Sequence, residues 1–160
     1  IILICFLFWY SAILYIFSIN MYYCNMYFFK TKLRVRYSET DQMGFAYYGA
    51  YAQYYEVGRV ELLRSIGISY KKVEKMGFAL PVVNWNISYK KPAFYDDELT
   101  IKTIIKKPPS KTFVFDYEIY NKSKELLNFG QVTLMFINIK TKKTCNAPPA
   151  IVNSIKRKLT

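Results

Sequence analysis

The chain is 160 residues long, 52% apolar and 19% aromatic, which suits one domain with a sizeable core and excludes both a disordered chain and a pair of ordinary domains. Its formal charge of +12 suits an anionic partner such as nucleic acid, an anionic membrane face or a phosphate-bearing small molecule, although a lysine-rich soluble surface would read the same way. The absence of histidine excludes Ser-His-Asp, Cys-His and His-bearing zinc chemistry, so acid–base work falls to Asp, Glu, Tyr or Lys.

Residues 1–19, IILICFLFWYSAILYIFSI, form an uncharged apolar run about as long as a bilayer-spanning helix. As a membrane anchor, followed by Lys30, Lys32, Arg34 and Arg36, it would leave the rest of the chain in the cytoplasm. It makes a poor cleavable signal, and the competing reading is an over-extended start, with Met21 and Met26 as alternative first residues. Residues 1–29 are therefore set apart from a domain spanning 30–160.

Within that domain, KLRVRY (32–37) alternates basic and apolar side chains as a half-buried strand does. From Tyr47 to Ile66 the period changes. Tyr51, Tyr55, Gly58, Leu62 and Ile66 share one face of a long helix, with Gln53, Glu61 and Arg64 opposite. Gly67 ends that helix, and YKKVEKMG predicts a short second one ending at Gly77. Then LPVVNWNISYK, ELTIKTIIK, KTFVFDYEIY and FGQVTLMFINIK read as strands, broken by the turn-like KPAFYDD, KPPS, NKSKE and KTKKT. Asp96 and Asp97 set the turn before ELTIKTIIK, and a C-terminal helix is expected from Pro149. The short connections imply antiparallel neighbours, so the fold class is α+β, with the long helix buried on one sheet face.

Cys5, Cys24 and Cys145 stand far apart without a CxxC pair, so no disulfide framework or metal site is expected, and a reducing compartment is the simpler inference. Phosphate-binding and dinucleotide-binding glycine loops and the GxSxG elbow are missing. The SxxK matches at Ser69 and Ser88 lack the companion motifs of a penicillin-binding site and are read as chance.

The stretch YSETDQMGFAYYGAY (37–51) connects the first strand to the long helix. Asp41 precedes the first helical turn, and Gly44 allows a tight bend between them. The unpaired N–H groups of that turn, around Tyr47 to Gly49, would face whatever sits beside Asp41. A carboxylate beside such donors is the pair that acyl transfer from a thioester requires. Asp41 could equally tie down its own loop, as loop aspartates often do.

The run RYSETDQMGFAYYGAYAQYYEVGRVELLRSIGIS, followed by LPVVNWNISYKKPAFYDDELTIKTII, resembles the hotdog-fold acyl-CoA thioesterases of the 4-hydroxybenzoyl-CoA thioesterase type. The resemblance covers about residues 31–148. It implies an antiparallel sheet wrapped around one central helix, hydrolysis of acyl-CoA without cofactor or metal, and a homodimer or homotetramer paired through sheet edges. It implies Asp41 as catalytic carboxylate, the Tyr48 backbone N–H as oxyanion donor, and Gly44 and Tyr47 in the oxyanion loop. Many relatives carry histidine where this chain has Tyr48, but a backbone donor does not depend on the side chain.

Other candidates are weaker. Lys90 and Lys91 could meet the phosphates of coenzyme A or be ordinary strand-end lysines. Pro81 to Trp85, with Val83 and Asn84 named as substrate contacts, could line the acyl pocket or pack the core. Tyr51 is read as a core or interface aromatic or a substrate contact. Glu56 and Arg59 are most simply a surface or interface ion pair, with substrate positioning by Glu56 as the alternative. Two rival functions remain: a basic domain binding single-stranded nucleic acid through exposed aromatics, and a hotdog protein that binds or hydrates an acyl thioester. The second usually carries an Asp/His pair, which this chain lacks.

Overall fold

The computed structural model describes residues 26–160, so the apolar run 1–19 lies outside the described residues. Among the described residues no helix is long and apolar enough to cross a membrane. Strand β1 (Tyr27–Arg34) leads through a 3-10 turn (Tyr37–Glu39) to helix α1 (Ala50–Ser65) and helix α2 (Tyr70–Lys75). Then come β2 (Phe78–Ala79), β3 (Val82–Tyr89), β4 (Glu98–Ile105), β5 (Thr112–Tyr120), β6 (Leu126–Met135), β7 (Ile137–Asn138) and helix α3 (Pro149–Leu159).

Five strands form one antiparallel sheet in the order β1-β4-β5-β6-β3, while β2 pairs with β7. The period-two faces read from the sequence are the buried ones: Leu99, Ile101, Thr103 and Ile105 on β4, and Phe113, Phe115, Tyr117 and Ile119 on β5. Helix α1 lies on that face, and its approach is close. A Cβ at Gly58 would stand 2.5 Å from Thr103 Oγ1 and 2.8 Å from Ile101 Cγ2, so only glycine lets helix and sheet meet here. Tyr55 then stacks on Tyr117 with ring centroids 4.1 Å apart and donates from its hydroxyl to Asn128 Oδ1 at 2.7 Å.

The elements differ from the sequence reading mainly at their ends. Strand β1 begins at Tyr27, because Tyr27, Phe28 and Phe29 pair with Ile105, Ile104 and Thr103; an all-aromatic run carries no alternation to read. Residues 27–29 therefore lie in the sheet rather than with an N-terminal segment. Helix α1 starts at Ala50, not Tyr47, because Ala46 and Tyr47 give their N–H groups to the carbonyls of Ala93 and Glu39. Its buried face is also wider than read, adding Tyr54, Arg59 and Leu63. Strand β6 begins at Leu126, three residues before the FGQV run, and the β2–β7 pair was too short to be legible. The C-terminal helix is present with Pro149 in its first turn, and it buries Ile151, Ile155 and Leu159 at four-residue spacing. Each such side chain contributes about 1.5–3 kcal/mol of burial.

Candidate active site

Asp41 sits at the first corner of a tight loop. Its N–H donates to the Phe45 carbonyl at 3.1 Å, its carbonyl accepts from Gly44 N at 2.9 Å, and a Thr40–Ala46 bridge closes the base. Gly44 adopts φ 80°, which an L side chain enters only with strain. The carboxylate divides its work. Oδ1 accepts from the Met43 N–H at 2.8 Å, the loop-tying role open to any aspartate here, whereas Oδ2 accepts from none of the described residues.

The chain next enters α1. Tyr47 N–H is taken by the Glu39 carbonyl at 2.8 Å, and Ala50 N–H by the Tyr47 carbonyl at 2.9 Å. Between them, the N–H groups of Tyr48 and Gly49 find no acceptor among the described residues. A Cβ at Gly49 would come 2.4 Å from the ring of Tyr47, an exposed side chain that would have to turn aside. From β3, the Tyr89 hydroxyl donates to the Tyr48 carbonyl at 3.2 Å and so steadies the 48–49 peptide from outside.

Loop, helix entry and the end of β3 enclose a cleft of about 330 Å³, lined by Asp41, Met43, Phe45, Ala46, Tyr48, Tyr51, Tyr89, Lys90, Lys91 and Pro92. That volume is at the small end of ligand pockets, and the lining is a mostly apolar wall with few polar groups. Burial pushes the Tyr51 phenol up to about 12, only partly offset by a hydrogen bond from the Ala93 backbone, so it stays neutral at ordinary pH. Lys91 is paired with Glu125. Lys90 stands 5.3 Å from the Phe129 ring centroid and has no ion pair among the described residues.

The structure thus brings Asp41, Tyr48, Tyr51, Lys90 and Lys91 together, with Gly44 and Tyr47 shaping the loop and turn around them. It does not bring Glu56, Val83 or Asn84 there. Val83 and Asn84 lie exposed where the β3 register shifts against β6, at the outer edge of the sheet, and Pro81 and Val82 are exposed beside them. Trp85 packs on Tyr55 at 5.0 Å instead. Glu56 lines a second hollow between α1 and α2 with Arg59 and Tyr70. The expected Glu56–Arg59 ion pair does not form. Arg59 is on the buried face, 7% exposed, and its Nε donates to the Tyr70 hydroxyl at 2.6 Å, because a three-residue spacing allows a pair without requiring one. Tyr89, Phe45 and Glu39 were not named from the sequence; Phe45, next to Gly44, and Glu39, two residues before Asp41, stood close enough to be suspected, whereas Tyr89 did not. Among the described residues, no group of three or more His, Cys, Asp or Glu could hold a metal ion.

The Thioesterase-like superfamily profile matches residues 35–155, from the end of β1 into α3. The chain belongs to this superfamily. YneP of Bacillus subtilis is 43% identical over 101 residues, covering 63% of this chain and 73% of its own length. The acyl-CoA thioester hydrolase YbgC of Escherichia coli is 31% identical over 133 residues, 83% of this chain and 99% of its own. Among solved structures, the DHNA-CoA thioesterase of Staphylococcus aureus superposes with a TM-score of 0.72 at 37% identity, over 74% of this chain and 80% of that one. The helix-on-sheet architecture is accordingly the hotdog fold of the superfamily.

Proposed function

We propose that this chain is a thioester hydrolase that converts acyl-CoA to free acid and CoA at the Asp41 cleft. The reaction class rests on superfamily membership and on the names of its relatives. The observation that carries the site is that Asp41 Oδ2 and the Tyr48 and Gly49 N–H groups of the helix entry, on the same cleft, have no partner among the described residues.

In this reading the thioester carbonyl oxygen lies against the Tyr48 N–H, a donor worth roughly 3–4 kcal/mol as negative charge develops on that oxygen. Asp41 either attacks the carbonyl carbon, expelling the CoA thiolate and leaving an anhydride that water opens, or takes a proton from the water that attacks. Either route breaks the C–S bond, and the proton the thiolate takes up comes from the hydrolytic water, by way of Asp41 when it acts as base and when water opens the anhydride otherwise. Gly44 and Tyr47 hold the loop and turn, and Lys90 meets a phosphate of CoA. The exposed outer edge of β3, with Val82 and Val83 half exposed, suits pairing with a second copy, as a homodimer or homotetramer acting in the cytoplasm. The nucleic-acid reading needed a platform of exposed aromatics among lysines. The outer sheet face offers Phe28 and Phe129, separated by β4 and β5, which supports no stacking run.

The test is CoA release from short, long and aromatic acyl-CoAs by protein starting at Met26, beside Asp41→Asn. Hydrolysis of any substrate by wild type, with a loss of about 100-fold or more in kcat for an equally folded variant, supports the reading. Equal activity of both would remove Asp41 from the mechanism.

A further inference from the structure

The proposed chemistry needs the Asp41 loop and the entry of α1 held at a fixed separation, and one residue outside the cleft lining touches both. The Glu39 carbonyl accepts the Tyr47 N–H at 2.8 Å, at the turn that opens into the helix. Its side-chain Oε2 accepts from the Arg36 N–H at 2.8 Å, where β1 ends, and from the Tyr54 hydroxyl at 2.9 Å, more than a turn into α1. The side chain is 11% exposed, and Tyr54 is 2% exposed. Strand end, loop and helix therefore meet on one nearly buried carboxylate.

We propose that Glu39 is a positioning residue for thioester hydrolysis, setting the Asp41 loop against the helix entry; this rests on the reading of Asp41 given above. Two links make the arrangement specific. By occupying the Tyr47 N–H, the Glu39 carbonyl leaves the Tyr48 N–H as the first donor of the turn without an acceptor among the described residues. By gripping Tyr54, the carboxylate prevents the loop from sliding along α1, and the Thr40–Ala46 bridge carries that constraint to Asp41, two residues on. A buried donor left without its acceptor would drive local rearrangement, because the hydroxyl of Tyr54 has no other partner among the described residues. Arg36 Nε, 3.7 Å from Oε1, is largely exposed and adds little. A displacement of the loop by about 1 Å is enough to cost on the order of 100-fold in rate without touching the chemistry directly.

The measurement is steady-state kinetics on the best acyl-CoA substrate for wild type, Glu39→Ala, Glu39→Gln, Tyr54→Phe, Asp41→Asn and the Glu39→Ala/Asp41→Asn double variant. Concentrations are corrected for folded protein by circular dichroism. Expected are a fall of about tenfold or more in kcat for Glu39→Ala with KM within about twofold, a smaller fall for Tyr54→Phe, and recovery to within about threefold of wild type for Glu39→Gln. Glutamine can present its one carbonyl oxygen to both donors, so rescue separates positioning from a need for charge. The double variant should be no more than about twofold slower than Asp41→Asn, because both changes act on one catalytic element. An unchanged kcat in Glu39→Ala, a loss confined to KM, a glutamine variant as slow as alanine, or multiplying losses in the double variant would each overturn the assignment. Should Glu39→Ala fail to fold, Glu39→Gln at near-wild-type rate with Tyr54→Phe slowed decides for it, and Tyr54→Phe at the wild-type rate decides against it. An inactive Asp41→Asn beside an unaffected Glu39→Ala removes this assignment alone; a fully active Asp41→Asn removes both readings.

Discussion

Of two hollows along α1 among the described residues, the larger is not the one proposed as the site. The hollow between α1 and α2 measures about 510 Å³ and carries more charge than the Asp41 cleft, at about 330 Å³. Its two arginines are both engaged, Arg59 by the Tyr70 hydroxyl and Arg64 by Glu61, while Glu56, Lys71 and Glu74 have no ion pair or side-chain hydrogen bond among the described residues. Burial pushes the Tyr70 phenol up and the Arg59 guanidinium draws it back, which is what a mutually satisfied pair does. At the other end of the helix an aspartate oxygen and two backbone N–H groups have no partner among the described residues. Unpartnered side chains at a hydrated surface are common, whereas a carboxylate oxygen beside unpartnered backbone N–H donors at a helix entry is not, and that combination is what supports the proposed site.

Variants at the two ends of α1 distinguish the two hollows. Asp41→Asn should cost about 100-fold or more in kcat with little change in melting temperature, and a large stability change instead would put the residue among the loop's structural ties. Glu39→Ala should come next, at about tenfold, with the KM and rescue pattern already described. Arg59→Ala should show the opposite signature, losing about 1–3 kcal/mol of stability through its hydrogen bond and buried stem while kcat per folded molecule stays within about threefold. A collapse of kcat in that variant would make the second hollow part of the site. Lys90→Ala should raise KM for acyl-CoA a few-fold, leave KM for the matching acyl-pantetheine thioester unchanged, and lose its effect as salt rises.

The smallest effect concerns acid. Hydrogen bonds from Lys32 to Glu98 and from Lys91 to Glu125 hold those carboxyls below the ordinary value of 4.5; at Glu118 burial opposes ionisation, but Lys102 and Tyr120 outweigh it. Their contribution is complete above that ordinary value and is lost as pH falls through the lower folded values, since a depressed folded pKa means the unfolded chain takes up protons first. A shallow decline in melting temperature below pH 4.5, flattened by salt, is expected. Stability that instead fell at neutral pH would point to groups other than these.

Much of the fold could be read because its signals are local. The buried faces of β4 and β5 follow from alternation, and the helix between Asp41 and Gly67 follows from its three- and four-residue spacing. The turn before β4 was legible in Asp96 and Asp97; Asp97 Oδ2 accepts from Phe94 N at 2.7 Å, and Asp96 takes φ 68°. The site was legible where it is contiguous in sequence, from Asp41 to Tyr51. It was not legible where it depends on which strand end faces the loop. Tyr89 reaches Tyr48 across 41 residues, and nothing in the NISYK run distinguishes that tyrosine from any other on a strand. Glu56 and Val83 lie away from the cleft for the converse reason, because spacing assigned them to an element without saying which way the element turns that residue.

Apart from the short β2–β7 pair, the types of the main elements and the α+β class follow from periodicity and glycine punctuation, which act within a few residues of chain, and the candidacy of Asp41 follows from its place before the helix and the absence of histidine throughout. The folded chain alone shows that one oxygen of Asp41 ties its loop while the other, like the Tyr48 and Gly49 N–H groups, has no partner among the described residues, and that Arg59 is a buried partner of Tyr70. Each of those depends on which acceptor arrives from a distant strand or turn, and hydrogen-bond partnership across space leaves no period in the chain.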